Sequence, residues 1–169
     1  MWILKTNYLI TVGFLLLMVA CGTPKLKDKN KVHFDQPSEY HDYINTRFEN
    51  VSRLWNSTLH IMDDSSKIYL QLDSLEQAAL TYFEDMNRLA DFKGDTLYRH
   101  AAREYFLYMY TVSKGSYREA IQIGLMGDDI PDSLQFRFNL IGDQIGADKD
   151  SCINRLINAN LNFMRFASE

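Results

Sequence analysis

Four histidines, seven methionines and two cysteines are the nitrogen and sulfur side chains here that could hold a metal or a cofactor. Their spacing argues against both. A carboxylate-bridged di-iron centre in a helical bundle needs inward Glu-x-x-His pairs on two helices, and none occurs. Covalent haem needs Cys-x-x-Cys-His, which is absent, and the last helical segment carries no histidine for axial ligation. His33 falls in a lysine-rich stretch, His41 sits at a helix start, and His60 and His100 lie off the apolar stripes, so they read as solvated or capping residues. Met62, Met86 and Met109 fall on core stripes, where methionine fills gaps. No cofactor and no metal site is therefore expected.

Catalysis fares no better. A glycine-flanked serine, a phosphate loop and inward clusters of carboxylates are all missing. Asp63-Asp64 and Asp128-Asp129 flank helix ends, where carboxylates cap N–H groups or sit in water, and calcium-loop spacing is lacking. Asp148 interrupts the last apolar stripe and reads as a bend or an exposed rim position. The chain is thus expected to be no enzyme.

The run Tyr105-Phe106-Leu107-Tyr108-Met109-Tyr110 covers more than one helix face. Advancing about 100° per residue puts Tyr105 and Met109 in the core and Phe106, Tyr110, Tyr117 and Ile121 on a second stripe, flanked by Arg99, Arg103 and Lys114. Aromatics beside cations suit a partner or an anionic ligand. The competing reading is a wide apolar arc on a helix that lies between two neighbours.

Cysteine chemistry points elsewhere. The apolar run Leu9 to Ala20 is of signal-peptide length and closes on Met18-Val19-Ala20-Cys21-Gly22, which looks like the lipobox at which bacterial lipoproteins are cleaved and lipidated. Residues 1–20 then form an export signal, and Cys21 carries acyl chains that anchor the protein to a membrane. Cys152 is left without an intramolecular partner and reads as a small buried apolar residue. The net charge is −4, and removal of residues 1–20 takes away only Lys5, so nucleic-acid binding is disfavoured. Gly22-Thr23-Pro24-Lys25 lacks both the aspartate that retains enteric lipoproteins at the inner membrane and the acidic cluster that marks surface export in Bacteroidetes. By analogy, the periplasmic face of the outer membrane is expected.

Residues 21–37 are lysine-rich and poor in apolar side chains, as in a flexible tether, and residues 38–169 are of one-domain size. Ile44, Phe48, Val51, Trp55, Thr58 and Met62 recur at helical spacing, with Ser38 as a candidate N-cap. A second stripe runs Ile68, Leu72, Leu75, Ala79, Tyr82, Met86 and Leu89. In Phe92-Lys93-Gly94-Asp95, Gly94 suits a left-handed residue after a helix and Asp95 caps the next. The third helix carries Tyr98, Ala101, Ala102, Tyr105, Met109, Val112, Ser116 and Ile123, ending near Gly127. Pro131 opens the fourth, whose stripe is Leu134, Phe138, Ile141, Ile145, Cys152, Leu156, Ala159, Phe163 and Phe166, with Gly142 and Gly146 as weak points. Short connections make neighbours antiparallel, so the fold predicted is all-α, an up-down-up-down four-helix bundle.

The turn Phe92-Lys93-Gly94-Asp95, with Arg99, Ala101-Ala102, Tyr105 and the terminal Asn162-Phe163-Met164-Arg165-Phe166-Ala167, resembles a group of small all-helical lipoproteins of Bacteroidetes and spirochaetes. The likeness covers the last half of the chain. It implies a helical envelope lipoprotein and brings no catalytic residue. Asp73-Ser74-Leu75, Asp95-Thr96-Leu97 and Asp132-Ser133-Leu134 each resemble the acceptor for periplasmic O-glycosylation in Bacteroidetes, although capping accounts for two of them. Two functions follow as expectations: a non-enzymatic module that contacts an envelope protein, or a carrier of a small ligand, metal or haem inside the bundle.

Overall fold

In the computed structural model, residues 30–59 and 65–168 are described. Five α-helices cover most of them: α1 (Pro37–Leu59), α2 (Ser65–Arg88), α3 (Leu97–Lys114), α4 (Ser116–Gly124) and α5 (Asp132–Ala167), with a 3-10 turn at Gly127–Asp129. The fold is all-α. Cross-helix pairs fix the directions, because their numbers run in opposite senses. Arg47 meets Asp85 and Asn50 meets Tyr82 between α1 and α2. Arg103 meets Asn87 and Arg118 meets Asp73, which sets α3 and α4 against α2. Arg155 meets Glu104 and Tyr108 meets Ile145, so α5 returns antiparallel to α3. The result is four rods running up and down, the third of them broken in two.

The break is a departure from the single third helix that the sequence suggests. Gly115 takes φ −112° and ψ −101°, outside the helical range, and the rod divides there into α3 and α4 even though the Gly115 amide still donates to the Thr111 carbonyl at 3.1 Å. A glycine interior to a helix is the residue that gives way most cheaply. The start of α1 also differs by a residue. Pro37 is the first helical position and the Tyr40 amide donates to the Gln36 carbonyl, so Ser38 lies inside the first turn rather than capping it.

The core is one cluster and follows the expected stripes: Ile44, Val51, Ile68, Leu72, Leu75, Ala79, Met86, Ala102, Tyr105, Met109, Leu156 and Phe163 are all buried. Tyr40, Phe92, Tyr98 and Phe163 pack ring against ring at one end, with centroids 5.3–6.4 Å apart. Trp55 and Tyr117 stack at 4.2 Å toward the other. Helix α5 is continuous through Gly142 and Gly146, but its first turns are thinly covered. Leu134, Phe138 and Ile141 are only half-buried, and Phe166 at the far end is exposed. The reason is length: 36 residues make a rod of about 54 Å, which outruns its neighbours.

Residues just before α1 are fastened to the bundle. The Val32 amide donates to the Arg88 carbonyl at 2.8 Å and the Val32 carbonyl accepts from the Ala90 amide at 2.9 Å, while Phe34 packs on Tyr43. Two backbone bonds and one ring hold a stretch whose composition alone reads as tether. No described helix is long and apolar enough to cross a membrane.

Candidate functional site

The second aromatic stripe is the first candidate, and most of it lies inside. Phe106 is fully buried against Tyr82, at 5.6 Å between centroids. Tyr117 is buried on Trp55, and Ile121 is buried beside it. These three are not a partner surface. They form the wide arc that α3 and α4 need because α2 lies on one flank and α5 on the other. Tyr110 is half-exposed and its hydroxyl accepts from the Lys114 ammonium at 3.1 Å. Arg99 donates to Asp91 at 2.7 Å, and Arg103 donates to Asn87 at 2.6 Å while lying over the Phe83 ring. Both guanidiniums are therefore occupied in tying α3 to α2 and to the turn that follows it.

Cys21, His60, Met62, Asp63 and Asp64 lie outside the described residues. His41 stacks on Tyr98 and contacts Asp42 at 3.1 Å, and His100 is exposed near Glu104. Met86 and Met109 are buried in the core. Among the described residues no three His, Cys, Asp or Glu side chains gather as a metal cage. Cys152 is buried, with its sulfur 3.2 Å from an Arg155 nitrogen. Asp148 is exposed on the rim and accepts from Gln144 at 2.8 Å. Ser74, Thr96 and Ser133 are all exposed, and the Thr96 hydroxyl makes no cap bond to α3; Asp95 supplies it, accepting from the Leu97 amide at 3.1 Å.

Two features that the sequence reading did not single out lie along α5. The first is a seam on the side of the helix turned away from the core. Phe136, Leu140, Asp143, Ala147, Asp150, Asn154, Ile157, Leu161 and Met164 alternate at spacings of four and three, and all are exposed. Phe136 is 71% exposed and Leu140 58%, although apolar side chains of this size are the ones most often inside. The seam is apolar at both ends and acidic in the middle. Its alternation was present in the sequence, but the stronger stripe on the other face of α5 masked it.

The second feature is a pair of clefts flanking Ile145. One, about 650 Å³, lies between α3 and α5 and is lined by Tyr108, Val112, Gly115, Leu140, Ile141 and Asp148. Across it the Tyr108 hydroxyl donates to the Ile145 carbonyl at 2.9 Å. Burial, reinforced by the Asp148 carboxylate, keeps that phenol protonated well above its ordinary range. The other, about 300 Å³, opens where α1 and α5 barely touch and has walls of Trp55, Tyr117, Ile121 and Phe138. Its floor is Gly142 and Gly146, and Lys149 stands at its edge. Compared with known proteins, the chain matches no family model, no curated protein and no solved structure.

Proposed function

We propose that this chain is a lipid-anchored cell-envelope protein that acts without catalysis, by docking a helix of a partner protein along the outward seam of α5. The observation that carries this reading is the seam itself: nine exposed positions in three-four alternation, with Phe136 and Leu140 at one end and Ile157, Leu161 and Met164 at the other. Such alternation is what one helix presents to another. Charge chooses the occupant. A second copy, in either orientation, would bring Asp150 against Asp150, and like charges across a seam repel. A partner with apolar ends and a basic middle fits.

The anchor rests on Ala20-Cys21-Gly22 at the end of the apolar run, and the periplasmic face of the outer membrane follows by the analogy given above. Intact-mass measurement of the native protein reads the lipid on Cys21, together with any sugar on Ser74, Thr96 or Ser133. A mass of the unprocessed polypeptide would overturn the anchor. Protease treatment of whole cells should leave the domain uncut if it faces the periplasm.

The docking is tested with the full chain in a lipid nanodisc and two synthetic amphipathic helices, identical but for lysine or glutamate in the middle of the apolar seam. The lysine peptide should bind at least about ten-fold more tightly, a difference of about 1.4 kcal/mol. Asp150→Lys should reverse the preference, and Leu161→Glu should abolish binding with helicity intact, since exposed positions cost within about 0.5 kcal/mol. Equal binding of both peptides would sink the proposal, as would self-association that Leu161→Glu removes.

A further inference from the structure

The smaller cleft has the makings of a binding site. Its walls are aromatic, Trp55 stacked on Tyr117 with Phe138 opposite, and its volume of about 300 Å³ suits a short hydrocarbon chain rather than a folded partner. One charge stands at its edge. The Lys149 ammonium lies 5.1 Å over the Trp55 ring and makes no ion pair with any carboxylate among the described residues. Arg47, Arg99, Arg118, Arg137 and Arg155 each hold an acidic partner, whereas Lys149 does not.

The floor is equally telling. Gly142 and Gly146, one turn apart, each cost α5 about 1 kcal/mol relative to alanine. Neither is needed for close approach, because a Cβ added at either would meet nothing within 4 Å. What they do is leave the cleft open. From the open floor, the aromatic walls and the unpaired ammonium, we infer that this cleft binds a single-chain anionic amphiphile, a short acyl chain ending in a carboxylate. The chain lies along Trp55 and Phe138, and the carboxylate pairs with Lys149. The site is separate from the outward seam, so either can fail without the other.

The test uses the lipidated chain in nanodiscs, where Trp55 is the one tryptophan left once residues 1–20 are removed, and protein-free nanodiscs to subtract partitioning. Octanoate should shift the emission saturably. Octanol and octylammonium, of equal length, should bind about five-fold more weakly or worse, the worth of one solvent-edge ion pair. Lys149→Gln should bring octanoate down to the level of octanol. Gly146→Leu, which fills the floor, should abolish all three while leaving the melting temperature unchanged or raised, and Gly142→Leu provides the same test independently. Non-saturable response, equal binding of the three amphiphiles, or octanoate binding unchanged by both glycine variants would overturn the proposal.

Discussion

The Tyr117 hydroxyl shows how one atom separates surface from core. Thr58, fully buried, donates its hydroxyl proton to the Trp55 carbonyl at 2.7 Å. Its oxygen can then only accept from Tyr117, so the phenol is the donor in the contact between them. That bond pins α4 to the end of α1 beneath the Trp55 ring. Tyr117→Phe keeps the stack and removes the donor, and should lower stability by about 1 kcal/mol in urea titration. Tyr117→Ala also removes the buried ring and should cost about 3 kcal/mol or more. Two equal, near-zero costs would mean that Tyr117 is solvated. The sequence could place Tyr117 on a stripe but not say which neighbour covered that stripe, because burial on a second face depends on where α1 and α5 lie.

At the scale of elements, glycine makes the contrast sharpest. Lys93 and Gly94 sit at φ 48° and 96°, and the Asp95 amide closes their turn by donating to the Phe92 carbonyl at 2.9 Å. Gly94→Ala forces a side chain into the left-handed region and should cost about 1 kcal/mol or more. Gly142→Ala adds a methyl to open space within a helix and should gain up to about 1 kcal/mol. Thermal unfolding of the two variants should therefore shift in opposite directions, and a loss at Gly142 would show a contact that the structure lacks. The turn glycine was legible in Phe92-Lys93-Gly94-Asp95, since a stop, a left-handed residue and a cap are local chemistry. The break at Gly115 was not legible. The apolar period runs straight through it from Tyr98 to Ile123, so periodicity carries no sign that the helix divides there. In the same way the stripe of α5 begins at Leu134 in sequence, yet its first turns are half-covered, because periodicity tells which face is apolar and not how far the neighbours reach.

For the molecule as a whole, the buried phenols set the alkaline limit of stability. Tyr40, Tyr98 and Tyr108 are held protonated far above their ordinary range, chiefly by burial, and Tyr105 is pushed up to about 12 for the same reason. Unfolding returns each to about 10, so between those values the native chain binds protons that the unfolded chain has released. Stability is then fully present below about pH 10 and declines above it. Tyr105 alone should remove about 2 kcal/mol by pH 12. A domain of this size has about 5–15 kcal/mol in total, so several such groups acting together suffice to unfold it. These tyrosines come from α1 and α3, and through Tyr98 and Tyr40 they touch Phe163 of α5, so no helix can release its phenol alone. Phenolate absorbance and loss of helical circular dichroism should therefore rise together in one steep step above pH 10. Tyr105→Phe should move the step to higher pH, because one proton fewer is lost on unfolding. Titration of every phenol near pH 10 with the helices intact would place these rings in water and contradict the core from which both proposed sites are built.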